Sequence, residues 1–107
     1  MDVRQGTLDL LVLRTLAEEP AHGWAIAQRI EMLSEDALRL NQGSLYPALH
    51  KLEDGGYISG KWGIAEDTRR RVKVYSLTAR GRSRLSAEEA DWRAYVQAME
   101  LVLGGQP

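Results

Sequence analysis

Apolar residues recur along this chain first at helical and then at strand spacing, and the change of period divides it into elements. Thr7 can cap a first helix in which Leu8, Leu10, Leu11, Val12, Leu13 and Leu16 crowd more than one face. A helix apolar around most of its circumference must be covered on several sides, which a single small domain can hardly provide. Glu18-Glu19-Pro20 ends it, and His22-Gly23 opens a second helix with Ile26, Ile30 and Leu33 as its inward stripe. Gln28, Arg29 and Glu31 lie on the outside of that helix, and residues 34–40 form a polar connection. Leu45, Leu49 and Leu52 then fall at i, i+4 and i+7, the buried stripe of a third helix. Gly55-Gly56 stops it and the period changes. Residues 57–62 and 72–77 alternate like strands, joined by residues 63–71, a charged segment too long for a tight turn. The pattern predicts a β-hairpin with a long charged tip. Thr78 caps a last helix that runs to about Leu103, where Gly104-Gly105 stops it.

The third helix has an unusual outer face. Gly43, Pro47 and His50 lie there, flanked by Ser44, Tyr46 and Lys51. A helix surface selected for solubility alone carries Glu and Lys. Low bulk combined with hydrogen-bond donors and one positive charge suits a helix that enters a narrow space and touches polar atoms. With Ser44 as N-cap, Pro47 falls in the first turn, where its missing N–H costs nothing. A start at Asn41 would place Pro47 deeper and bend the helix.

Composition narrows the function classes. A chain of 107 residues with 44% hydrophobic content makes one globular domain. Without cysteine it has no disulfide framework, thiolate metal site or cysteine nucleophile, and His22 and His50 lie far apart in sequence. No nucleophile–base pair, phosphate loop or metal spacing is present, so neither an enzyme nor a cofactor is expected. No apolar run approaches the ~20 residues that span a bilayer, and Met1-Asp2-Val3-Arg4 starts no signal peptide. A cytoplasmic protein without membrane contact is the expectation. The net charge of −1 conceals a pattern. Residues 1–38 carry three Arg against seven acidic residues (−4), residues 39–84 ten Lys or Arg against four (+6), and residues 85–107 one against four (−3). A basic block between acidic ones is the electrostatic footprint of a DNA binder.

Three helices followed by a basic ribbon make a winged helix, mainly α with a small β-hairpin. Residues 1–77 form the DNA-binding part and residues 78–107 a C-terminal dimerisation helix, in one compact unit. A helix fits the DNA major groove, and small residues such as Gly43 and Pro47 allow close backbone approach. The expected contacts to double-stranded DNA are Gln42, Ser44, Tyr46, His50 and Lys51 from the helix, with Arg69, Arg70, Arg71 and Lys73 from the ribbon. On the last helix, Leu85, Trp92, Val96, Met99 and Leu103 are spaced 7, 4, 3 and 4, an apolar seam that must fold back or pair with another chain. Because the first helix also has surplus apolar faces, pairing through these residues and Leu11 predicts a two-fold homodimer reading a palindrome. Trp92, Tyr95 and Met99 form a candidate site for a flat apolar effector between subunits.

Several of these stretches resemble a known family. Residues 41–52, Asn41-Gln42-Gly43-Ser44-Leu45-Tyr46-Pro47-Ala48-Leu49-His50-Lys51-Leu52, look like the recognition-helix signature of PadR-family transcriptional regulators. Ala21-His22-Gly23-Trp24-Ala25-Ile26 resembles the opening of that family's second helix. Trp62-Gly63, Arg69-Arg70 and the run from Lys73 to Gly81 are similar to its wing and strand exit. The resemblance implies a dimeric bacterial repressor of the short subtype, with one C-terminal helix per subunit, responding in many members to small aromatic or hydrophobic compounds.

Each feature also has a plainer reading. Tyr46 can be an aromatic packed on the hairpin, His22 a helix-opening residue with a local hydrogen bond, His50 a surface histidine, and Trp24 and Trp62 core residues. The arginine run beside Glu66-Asp67 can be a self-neutralising loop. The competing class for the whole chain is a winged helix used for protein–protein contact without DNA.

Overall fold

The computed structural model describes residue 1, residue 3 and residues 6–104. The elements in chain order are α1 (Leu8–Glu18), β1 (Ala21–His22), α2 (Gly23–Leu33), α3 (Gln42–Asp54), β2 (Ile58–Ile64), β3 (Arg71–Leu77) and α4 (Ala79–Leu103). The strands form one antiparallel sheet in the order β1-β3-β2. None of the described helices is long and apolar enough to cross a membrane. Asp2, Arg4 and Gly105, on which part of the terminal readings fell, lie outside the described residues.

The core is built where the apolar stripes of three helices converge. Val12, Leu13 and Leu16 of α1, Ile26, Ala27 and Ile30 of α2, and Leu45, Leu49 and Leu52 of α3 are all buried, with Ile58 and Tyr75 contributed by the sheet. The crowding of α1 matches its surroundings, since Leu8, Leu10 and Leu11 are partly buried against the same core. Thr15 is buried among these residues because its hydroxyl donates to the Leu11 carbonyl one turn back, at 2.7 Å. Thr7 stands at the N-cap of α1, although its side chain makes no capping hydrogen bond.

Leu33 departs from its expected place in the α2 stripe and is 70% exposed. The helix ends at this residue, and Glu35 and Asp36, both in the left-handed region, turn the chain away before another stripe position is reached. β1 has no counterpart in the apolar pattern. Two residues are too few to show an alternation, and Ala21 and His22 are strand only because they pair with Tyr75 and Val74.

The start of α3 also differs. Asn41 is the N-cap, its Oδ1 accepting the Gly43 N–H at 2.7 Å, so Ser44 lies within the helix. Pro47 is therefore inside α3, and its missing N–H leaves the Gly43 carbonyl without the usual partner. Gly43 is itself exposed, so water can satisfy that carbonyl.

The wing is more completely paired than the pattern predicts. Its ladder runs from Ile58↔Leu77 to Ile64↔Arg71 and is extended by the Ala65 N–H to the Arg70 carbonyl at 2.8 Å. Ladder bonds use only the backbone, so Gly63 and Arg71 pair despite breaking the alternation of side chains. The tip is closed by Arg69, in the left-handed region, whose N–H reaches the Ala65 carbonyl.

α4 begins with the Thr78 hydroxyl accepting from the Gly81 N–H, as its sequence predicts. It approaches the chain leaving α3 so closely that a Cβ on Gly81 would lie 2.0 Å from the Tyr57 carbonyl oxygen. Arg84 fixes α4 to α1 by pairing with Asp9 at 2.9 Å and with Glu88 on its own helix. Both Arg80 and Arg84 place guanidinium groups 4.6 Å from the Tyr57 ring centroid. Beyond Leu85 no described residue of α4 is buried, and the helix carries the molecule to a long dimension of 57 Å against 29 and 22 Å.

Candidate nucleic-acid interface

Burial of Leu45, Leu49 and Leu52 fixes the rotation of α3, and the opposite side of the helix is open. Gln42, Ser44, Tyr46, Pro47, His50 and Lys51 are all exposed. Tyr46 turns toward the start of α2, where a Cβ on Gly23 would lie 2.8 Å from its Cε1 and 2.9 Å from its hydroxyl oxygen. Glycine at that position is what admits the tyrosine ring. Immediately before it, the His22 Nδ1 accepts the Ala25 N–H at 3.3 Å and caps α2. The helix-opening reading of His22 therefore matches its geometry.

The wing presents its cations unequally. Lys73 reaches back to Glu53 on α3 at 2.7 Å, and this hydrogen bond raises its pKa above the ordinary lysine value. Lys73, expected as a DNA contact, forms through this pair a half-buried tie between β3 and α3. Arg71 lies 4.7 Å over the Trp62 ring. Arg69 and Arg70 stand exposed at the tip. The neighbouring Asp67 carboxylate accepts the Thr68 N–H at 2.8 Å and helps to fold the turn. Among the described residues no carboxylate pairs with Lys51, Lys61, Arg69, Arg70 or Arg71, whereas Arg14, Arg29, Arg84 and Arg93 all have partners. A loop that neutralises its own charge does not fit this distribution.

The start of α2, the outer face of α3 and the wing enclose a cleft of about 660 Å³. Gln42, Tyr46, His50, Arg70, Arg71 and Lys73 all line it, so most of the predicted contacts converge; Ser44, Lys51 and Arg69 lie outside its walls. Trp24 and Trp62 line it too, and at 53% and 61% exposed neither is the core residue expected from its bulk. Trp62 shares a strand face with buried Ile58, but it sits past the end of the three-helix body, where the Arg71 guanidinium lies over it and most of the ring stays exposed. Trp24 occupies the first turn of α2, on the cleft side of His22, whose ring it stacks against with centroids 6.4 Å apart.

At the far end, the seam on α4 divides. Leu85 is buried in the core beside α1, so it is used within the chain and is not available to a partner; Leu11 is half-buried there. Trp92, Tyr95, Met99 and Leu103 are exposed and Val96 is half-exposed, with the Trp92 and Tyr95 rings 6.0 Å apart. Among the described residues no cluster of His, Asp and Glu could hold a metal ion.

The fold recurs in known proteins. A solved transcriptional regulator from Clostridium thermocellum has the same fold, with a TM-score of 0.84 over 92% of each chain at 24% identity. A PadR family transcription regulator from Clostridium difficile is 26% identical with a TM-score of 0.77, covering 92% of this chain and 99% of that one. A transcriptional regulator of Mycobacterium tuberculosis is 32% identical over 105 residues, 98% of this chain and 91% of that protein. The family model described as "Transcriptional regulator PadR-like family" matches residues 12–87, from the middle of α1 into α4. The chain thus belongs to the PadR-like family of transcriptional regulators, which implies regulation through DNA binding.

Proposed function

We propose that the protein is a homodimeric, ligand-responsive repressor that binds a palindromic operator. The observation that carries this reading is the exposed apolar face of α4, where Trp92, Tyr95, Met99, Val102 and Leu103 stand in solvent on a helix that projects from the domain. A contiguous apolar face of this kind is a partner surface. A second copy paired through it about a two-fold axis presents two α3 helices to one duplex. In each subunit the polar side chains of α3 read base edges in the major groove, and Arg69, Arg70 and Arg71 hold the adjacent backbone. A dimer seated over an operator blocks transcription by occupying the promoter. The unpaired cations of the wing favour this reading over a protein–protein module, because a protein-binding surface needs no such field.

The tilted pair of Trp92 and Tyr95, with Met99 nearby, suits a flat apolar effector held between subunits. Replacing Trp92 with Leu should keep the dimer and weaken binding of neutral planar aromatics; unchanged ligand affinity excludes that role. For the function as a whole, selection of bound sequences from a random duplex library should return an inverted repeat with half-sites about 10 base pairs apart or a multiple of that. A reporter driven through that sequence should fall when the protein is expressed. Selection of an unrepeated site, or of no sequence at all, overturns the reading.

A further inference from the structure

The joint between the end of α3 and the start of α4 is built from polar contacts around one ring. Tyr57 follows the glycine pair that ends α3, and its ring folds back over Gly55, where a Cβ would lie 2.7 Å from its Cε2. Arg80, in the first turn of α4, donates through Nε to the Gly55 carbonyl at 2.9 Å and through a terminal nitrogen to the Tyr57 hydroxyl at 3.1 Å. The guanidinium carbons of Arg80 and Arg84 each lie 4.6 Å from the Tyr57 ring centroid. Arg84 continues to Asp9 of α1 at 2.9 Å. One ring therefore ties the end of α3 to α4 and, through Arg84, to α1. A cation at a helix C-terminus also complements the orphan carbonyls found there.

Few other contacts set the direction of α4. Among its described residues Gly81 and Leu85 are the buried ones, both within the first two turns. The Thr78 hydroxyl donates to the Gly56 and Tyr57 carbonyls at 2.7 and 2.9 Å, which fixes a point and not a direction. One leucine in the core adds attraction without direction, because apolar burial is non-directional. A planar donor fork against a ring face has a fixed geometry and so specifies an angle. The lever it controls is long. From Gly81 to Met99 the helix runs about 27 Å at 1.5 Å per residue. A tilt of about 10° at the joint displaces Met99 by about 5 Å, more than the rise of about 3.4 Å for each base-pair step.

We infer that Tyr57 and Arg80 are specificity-determining positioning residues, which fix the angle between α3 and α4 and thereby the number of base pairs between the two half-sites. The inference rests on the reading of α3 as the DNA-reading helix and of α4 as the subunit contact. Neither Tyr57 nor Arg80 lines the cleft beside α3. The side chains of α3 decide which bases are read, and the joint decides how far apart the two readings fall. Loosening it leaves recognition of each half-site intact and removes discrimination between spacings.

The test uses the full-length protein and duplexes carrying the selected half-site twice in inverted orientation, with the spacer varied one base pair at a time. A duplex with a single half-site is the reference. The wild type should favour one spacing, and spacers about two base pairs longer or shorter should bind at least about tenfold more weakly. Arg80→Gln and Arg80→Lys should bind those neighbouring spacings within about threefold of the best, with affinity for the single half-site within about twofold of wild type. Lysine keeps the charge and loses the fork, so its agreement with glutamine assigns the effect to geometry. Tyr57→Leu should broaden the profile in the same way. Arg80 is exposed, so its variants carry the test if the Tyr57 variant fails to fold. A profile as narrow as the wild type's in both Arg80 variants overturns the inference and leaves the dimer standing. Half-site affinity lost with glutamine and kept with lysine makes Arg80 a phosphate contact and overturns it too. A uniform fall in both variants, the half-site included, overturns it in favour of a purely structural role. A wild type indifferent to spacing refutes the dimeric reading itself, and the joint with it.

Discussion

At the scale of single residues, the side chains proposed to read DNA are distinct from those that hold the protein together. Ser44 and His50 sit on the open side of α3 and offer short directional hydrogen bonds. Replacing either with Ala should cost about 1–3 kcal/mol on the cognate site and little on random DNA, measured by competition with the two duplexes. Equal losses on both would make them phosphate contacts. Arg69 and Arg70 are flexible cations at the wing tip, suited to the backbone. The double change to Ala should weaken binding to all DNA and flatten the salt dependence by about 0.9 in log–log slope for each phosphate no longer neutralised. Lys73→Ala should behave differently, because its partner is Glu53. The expected result is a lower melting temperature with the salt slope retained, and a slope change like that of the tip arginines would show that the tie opens when DNA binds. Residue types and spacing singled out Tyr46, His50, Arg70 and Arg71, which the fold brings to one cleft. They could not separate Lys73 from Arg70, because the pairing of Lys73 depends on a residue twenty positions earlier meeting it across the α3–β3 junction. Nor could they place Trp24 and Trp62, whose exposure depends on where the three-helix body ends.

At the scale of elements, strong periodicity was legible and its ends were not. The stripes of α1 and α3 are buried as their spacing predicts, since Leu45, Leu49 and Leu52 have no other surface to face. Boundaries are decided by groups the pattern does not weigh. Asn41 outcompetes Ser44 as the cap because its carboxamide reaches the Gly43 N–H. Backbone pairing likewise carries the wing ladder through Gly63. The seam on α4 is the instructive case. Its spacing is continuous from Leu85 to Leu103, yet the first member is buried at home and the rest project outward. A truncation intended to remove the dimer helix must therefore spare Leu85. Cutting after Arg84 takes a core residue and should yield an unfolded product. Cutting after Ala90 keeps Leu85 and the Arg84 pairs with Asp9 and Glu88, and should give a folded monomer by circular dichroism and light scattering. A dimeric product from that shorter chain would move the subunit contact away from the exposed part of α4.

At the scale of the whole molecule, the proposed pairing through α4 would give two DNA-reading helices a fixed span. Its 25 residues make a rod of about 37 Å at 1.5 Å per residue. Its first turns are locked to the body by Gly81 against Tyr57 and by Arg84 between Asp9 and Glu88. Two copies joined through such rods cannot slide their recognition helices freely, so the distance between half-sites becomes a property of the protein. Inserting about 5 base pairs at the centre of the operator turns the second half-site to the opposite side of the duplex, and affinity should fall toward that of a single half-site. Inserting about 10 restores the facing but lengthens the span by about 34 Å, farther than a packed helix pair can stretch, so affinity should stay low. A flexible dimer gives a different signature, with recovery at the full-turn insertion. Independent monomers give a third, with affinity indifferent to both insertions. Measuring the three duplexes side by side therefore tests the rigid two-fold arrangement against each of its rivals, and indifference to spacing would remove the dimer from the mechanism altogether.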